Sequence, residues 1–259
     1  MEFNNHPDEN SDRKLILPIL KIHYLGHSSF ILNFDNGITL VFDYGQENAW
    51  VEWGYDSKIN SMGNLVPDVM IYSHYDQDHY DPERIPRNAK LTLTGMERLR
   101  IRGIDLIPVR TSEDDLSVDS NSSYIILYKN LKICHLGDVQ AHIINIRQKF
   151  VKRKLNELFP DRFDLLFMPI EGKKQFPDEA EEFLNLLNPK RVMLMHFWSE
   201  KYRDDFLALL REKNKENDRY EINIPGKCQL SIDRQATAGS GDRIEVISLE
   251  REPFRGWEL

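Results

Sequence analysis

His74, Asp76, Asp78 and His79 put four metal-ligating side chains within six residues, in the run Ser73-His74-Tyr75-Asp76-Gln77-Asp78-His79. Two imidazoles and two carboxylates so close together suit Zn²⁺, Mn²⁺ or Fe. The run follows Val69-Met70-Ile71-Tyr72, which reads as a buried strand. A strand end is a rigid platform, and the turn after it can aim several side chains at one point. The plainer alternative is a polar surface turn that holds two histidines.

The same ligand types end other apolar runs. Val41-Phe42-Asp43 closes on a carboxylate, His135-Leu136-Gly137-Asp138 on another, and Val192-Met193-Leu194-Met195-His196 on an imidazole. The first run resembles the His-x-His-x-Asp-His signature of the metallo-β-lactamase superfamily, with Asp76 where the second His usually stands. The other three resemble that superfamily's first, Gly-Asp and last motifs. Gly26-His27-Ser28-Ser29-Phe30, the strand Phe163-Asp164-Leu165-Leu166-Phe167-Met168-Pro169-Ile170 and Pro189-Lys190 resemble the branch that includes ascorbate-6-phosphate lactonase and related metal-dependent hydrolases. The resemblance covers residues 15 to 230, and it rests on the order and spacing of several elements.

That resemblance implies a four-layer αββα sandwich with two metal sites at one edge. His74 and Asp76 would belong to the first site, and Asp78, His79 and His196 to the second, with Asp138 bridging both. It implies a metal-dependent hydrolase that holds one or two divalent ions, Zn²⁺ or Mn²⁺. A metal-bound hydroxide would attack an ester, lactone, amide or phosphodiester. A phosphodiesterase in particular, or a degenerate member that binds without turnover, are the alternatives. Asp78 could orient the water and carry protons as a general base. One familiar element is missing, because no His stands between His79 and His135. The first site would then draw on His74, Asp76, Asp138 and an Asp or Ser from 114 to 123. Such an oxygen-rich set favours Mn²⁺ or Mg²⁺ there. The other arrangement is a single metal, and both stay open.

The remaining histidines have competing readings. His142, four residues past Asp138, could be a substitute ligand or a proton shuttle. His27 could act beside the site or only in packing. His135 should face away from Cys134, His23 reads as a packing residue, and His6 lies in the polar start. Asp43 reads as an orienter that holds a ligand His by its other nitrogen. Trp50, Trp53, Tyr55 and Trp198 are either packing residues or a pocket wall. Lys173 and Lys174 are either a solvated pair or a contact to an anionic substrate group.

Strands must position these residues. Leu20 to Tyr24, Ser29 to Phe34, Thr39 to Asp43 and Val69 to Ser73 read as strands, with Asp35-Asn36-Gly37 turning a hairpin. Segment 84 to 110 reads as short strands and turns with a brief helix near Met96 to Arg102. Tyr124 to Tyr128 and Leu131 to His135 form a second hairpin. Ile143 to Phe159 has helical spacing and ends at Pro160. Leu165 to Ile170 and Arg191 to His196 read as strands, a helix opens at Pro177, and another covers Tyr202 to Lys213. Residues 234 to 243 read as a connection to a last strand, Ile244 to Leu249. Periodicity alone gives an α/β chain with a mixed sheet.

Bulk properties narrow the function. The chain has 259 residues, 41% of them hydrophobic, enough to bury the core of one large domain. A single domain over 15–259, preceded by a disordered tail over 1–14, is expected. The formal charge of −8 argues against general nucleic-acid binding and leaves a small-molecule substrate, including an anionic one, as the expected partner. Cys134 and Cys228 are too few for a disulfide framework, which suits a cytoplasmic protein. No signal peptide or membrane span is read. The oligomeric state is left open.

Overall fold

A computed structural model describes residues 18–95, 97–112, 120–139, 162–170, 177–233 and 241–257. The first strands are β1 (Leu20–Gly26), β2 (Ser29–Phe34), β3 (Thr39–Phe42), β4 (Val69–Ile71) and β5 (Thr92–Leu93). Then come β6 (Leu99–Ile101), β7 (Ile104–Thr111), β8 (Asn121–Tyr128), β9 (Leu131–His135) and β10 (Leu165–Pro169). Helix α1 (Pro177–Leu187), β11 (Arg191–Met195), α2 (Glu200–Asn217), β12 (Tyr220–Asn223), β13 (Gln229–Ile232) and β14 (Ile244–Ile247) follow, and a 3₁₀ turn over Val51–Trp53 lies between β3 and β4.

These strands form two sheets. A six-stranded sheet runs β13-β1-β2-β3-β4-β5, and an eight-stranded sheet runs β12-β14-β11-β10-β9-β8-β7-β6. Alternation explains how the first sheet packs. Phe30, Leu32, Phe34, Leu40, Phe42, Val69 and Ile71 face a core shared with the second sheet. Their neighbours Ile31, Val41 and Met70 face a second cluster on the outer side. Aromatic pairs join the sheets directly: Phe30 to Phe167 at 4.6 Å between centroids, Phe34 to Tyr128 at 5.0 Å, and Phe42 to His135 at 4.6 Å.

In the second sheet, β10 pairs in parallel with β9 and β11, and all its residues are buried. A continuous apolar strand needs cover on both faces. The first sheet covers one. On the other, Ala180, Phe183, Leu184 and Leu187 of α1 and Phe206, Leu207 and Leu210 of α2 join the same core cluster. Two facing sheets with helices packed on the outer face of one agree with the sandwich that the resemblance implies.

Leu99–Ile101 is a strand, where a brief helix was expected over Met96 to Arg102. It pairs antiparallel with β7, and the guanidinium of Arg98 forms a two-point bond to Asp105 across that hairpin, at 3.0 and 2.6 Å. Leu99 and Ile101 therefore follow a period of two. The tail over 1–14 and the helix over 143–159 lie outside the described residues. Among the described residues, no helix is long and apolar enough to cross a membrane.

Candidate metal centre

The candidate residues sit where strands end. His27 follows β1, Asp43 follows β3, Ser73 to His79 follow β4, Asp138 follows β9, and His196 follows β11. Three of them, His27, Asp43 and His196, have left-handed backbones, with φ of 50°, 45° and 51°. Non-glycine residues rarely adopt this conformation, and such strain clusters at functional sites. It turns each chain sharply off its strand. The backbone holds the turns together: His196 N–H donates to His27 O at 3.0 Å, and Tyr24 Oη donates to the same oxygen at 3.0 Å.

Gly137 brings the two sheets to the centre. Its φ is 65°, and a Cβ there would lie 2.3 Å from Asn121 Oδ1 and 2.5 Å from Ser73 Cβ. Only glycine permits that approach. Ser122 N–H then donates to Ser73 O, and Asp138 N–H to Asn121 Oδ1, at 2.8 and 3.1 Å. The Asp138 carboxylate is thereby brought beside the turn after β4.

Two groups of possible ligand atoms result. His27, Asp78, His79 and His196 form one, and His74, His79 and Asp138 the other. Within each group the atoms lie within 4.8 Å of one another, and every member is buried. His196 Nε2 is 3.6 Å from both Asp78 Oδ2 and Asp138 Oδ2, which links the groups. The His79 and His196 rings stack at 5.0 Å, and His74 and His79 are 4.0 Å apart.

Hydrogen bonding selects the ring atoms left to face a cation. Asp43 Oδ2 lies 3.0 Å from His79 Nδ1, and Ser73 Oγ donates to the same oxygen at 2.9 Å. Ser73 Oγ also lies 3.0 Å from His74 Nδ1. In this network both imidazoles donate through Nδ1 and present a lone pair at Nε2. Among the described residues, His74 Nε2, His79 Nε2 and Asp138 Oδ1 are buried with no hydrogen-bond partner. Leaving three such atoms unmatched in an apolar interior is costly. A divalent cation would satisfy all three, so these residues fit the ion that the donor set suggests.

Electrostatics agree. Burial disfavours the charged forms of His27 and His79, keeping both neutral, and the pKa of His79 falls well below the usual range. Burial also works against ionisation of Asp78, but His79, His196 and His27 outweigh it and hold its carboxyl well below the ordinary range. The same balance, with His196, His79 and His74, lowers Asp138. Neutral imidazoles and ionised carboxylates are the protonation states that bind metal.

His74, Asp78, His79, Asp138 and His196 thus converge, and His27 joins them through Nε2, 2.9 Å from Asp78 Oδ2. Asp76 stands outside both groups, with its side chain 55% exposed and Oδ2 3.8 Å from His74 Nε2. His135 is buried between the sheets. It lies 3.2 Å from Ser28 O through Nε2 and accepts from Gly137 N–H at Nδ1. His23 packs in the middle of β1, against Phe254. His142, Lys173, Lys174 and residues 113–119 lie outside the described residues. Trp198 rests 5.1 Å from His27 and 5.3 Å from His196, with Tyr55 against it at 4.3 Å. Trp53 is 67% exposed. Sequence reasoning did not single out Ser73, whose only signal is its place between a buried strand and the first histidine.

Known proteins of this shape carry related descriptions. The chain is similar to a candidate zinc-dependent hydrolase of the metallo-β-lactamase superfamily from Thermotoga maritima, at 22% identity and a TM-score of 0.56, covering 89% of this chain and 100% of that one. It is also similar to the metallo hydrolase Igni18 from Ignicoccus hospitalis, at 16% identity and 0.52, covering 73% and 91%. An isothiocyanate hydrolase from Delia radicum gut bacteria is similar at 13% identity and 0.54, covering 82% and 99%. At these identities the likeness concerns the fold. No curated protein matches. The family described as "Beta-lactamase superfamily domain" matches residues 21–196, from the start of β1 to the last histidine of the centre, and the chain belongs to that family.

Proposed function

We propose that the protein is a metal-dependent hydrolase acting on a small-molecule ester, lactone, amide or phosphodiester, including anionic ones. One observation carries this: buried His74 Nε2, His79 Nε2 and Asp138 Oδ1 have no hydrogen-bond partner among the described residues and lie beside ionised Asp78. One or two ions, Zn²⁺ or Mn²⁺, would be held by His74, Asp78, His79, Asp138 and His196, with Asp76 reaching the first position from the rim. When bound, the metal supplies an acidified water as nucleophile and polarises the scissile group.

The chain's own residues do the rest. Asp43 and Ser73 fix the ring orientations of His79 and His74. Asp78, ionised and tethered to His27 Nε2, can accept a proton from water at its carboxylate. Trp198 and Tyr55 screen one side of the centre from bulk solvent. The two buried thiols suit the reducing cytoplasm, where we place the protein.

Among the described residues, the His74, His79 and Asp138 group has fewer members than the other, which favours a single tightly held ion as a second reading. Metal analysis together with assays on an ester, a lactone and a bis-phosphodiester tests both. Turnover should vanish with a chelator and return with Zn²⁺ or Mn²⁺. Undiminished turnover in metal-free protein sinks the proposal. Tight metal binding without turnover on any of the three classes supports a binding member instead.

A further inference from the structure

The segment after β14 has no part in the centre as described, yet it reaches the loop that walls it. Residues 250–257 cross the outer side of the six-stranded sheet. Glu250 N–H donates to Lys227 O at 3.0 Å, Glu252 N–H to Tyr24 O at 3.3 Å, and Phe254 N–H to Ser61 O at 2.9 Å. Phe254 and Trp257 pack on the outer cluster beside Leu25 and Ile59. Between these anchors, Arg251 turns toward the loop before Ile59.

Arg251 Nη2 lies 2.5 Å from Asp56 Oδ2, and Nη1 donates to Asp56 O at 3.5 Å. One guanidinium therefore holds both the side chain and the backbone of Asp56. Asp56 N–H in turn donates to Trp198 O at 2.8 Å, just past the last histidine of the centre. Its neighbour Tyr55 places its ring 4.3 Å from that of Trp198. The Arg251 stem closes on the turn that carries His27. A Cβ on Gly26, whose φ is 125°, would sit 2.1 Å from Lys58 O and 3.4 Å from Arg251 Cδ. Glycine thus lets both loop and stem approach.

We propose that Arg251 is a positioning residue for the metal centre: through Asp56 it holds Tyr55 against Trp198, and so fixes the aromatic wall beside His27 and His196. It touches none of the proposed ligands. The link to the centre rests on the metal reading above, but the link to the wall does not. Without the guanidinium, Asp56 loses its tether, the loop loosens, and Trp198 gains solvent.

The test uses the full chain with Arg251→Met, which keeps the stem, and Arg251→Lys, which keeps the charge. Asp56→Asn is the second route to the same bond if Arg251→Met does not fold. The chain has four Trp, so the Trp198 emission is isolated by subtracting the spectrum of the Trp198→Phe counterpart. In folded Arg251→Met or Asp56→Asn, that emission should shift to longer wavelength and be quenched more by acrylamide, with Arg251→Lys partly restored. Co²⁺ is the metal probe. Its visible bands should change in the same variants while the amount taken up per chain stays that of the parent. A Trp198 signal that stays put in a folded variant overturns the clamp. A shifted Trp198 signal with unchanged Co²⁺ bands overturns its link to the centre. Failure of the parent protein to take up Co²⁺ counts against the metal reading, and the Trp198 signal then decides the clamp alone.

Discussion

Ser73 Oγ sits between Asp43, His74 and His79, and one hydroxyl there settles the direction of three hydrogen bonds. Asp43 anchors it and, at 0% exposure, is pushed upward in pKa by burial while Ser73 pulls the other way. At this scale the six ligand candidates are unequal. His196 is fully buried and lies 3.6 Å from two carboxylates, whereas Asp76 is half-exposed at the rim. His196→Ala should therefore strip more metal than Asp76→Ala, by elemental analysis after dialysis. Equal losses would contradict the ranking. The ligand candidates were legible because each follows an apolar run, so that a strand end could be inferred for each. Ser73 was not, since serines are common in turns and its role depends on Asp43, thirty residues away in sequence. His27 was legible only as a neighbour of the site, because its bond to Asp78 joins residues 51 positions apart.

Elements meet at Gly137. It lies where the segment after β9 passes under Ser73, so the two sheets touch through a residue without a side chain. Gly137→Ala adds a methyl group against Asn121 and Ser73 in a left-handed backbone. It should destabilise the fold by about 2 kcal/mol or more and lower metal uptake. Urea denaturation and metal analysis check this, and a variant as stable as the parent would show that the approach relaxes freely. Most core strands could be read from apolar runs, and β2 matches its expected limits. Strands β12 and β13 were missed. They are short, mixed and partly exposed, and β13 is set by pairing with β1 some two hundred residues earlier. The strand β6 was misread because Arg98 and Arg100, spaced between its apolar residues, find their partner Asp105 only across the hairpin. Local sequence does not show such distant pairing, and tertiary contact decides these elements.

At the scale of the whole molecule, buried imidazoles make the metal-free protein sensitive to acid. Burial lowers the pKa of His135, His27 and His79, so the unfolded chain takes up protons first as pH falls. Their contribution is intact above the unfolded value of about 6.5 and is lost as pH falls below it toward the folded values. Asp43, shifted upward, acts in the opposite sense over the carboxylate range. The melting temperature of chelator-treated protein should fall steadily from about pH 7 to about pH 5, and a flat profile would count against buried neutral histidines. The placement of the centre has a further consequence, in time rather than in equilibrium. His74, Asp78 and His79 belong to the six-stranded sheet, and Asp138 and His196 to the eight-stranded one. An ion held by all five spans the seam along which the sheets must part. Opening that seam would require the ion to shed ligands from one side, so the lifetime of the loaded fold would be governed by how slowly the ion leaves.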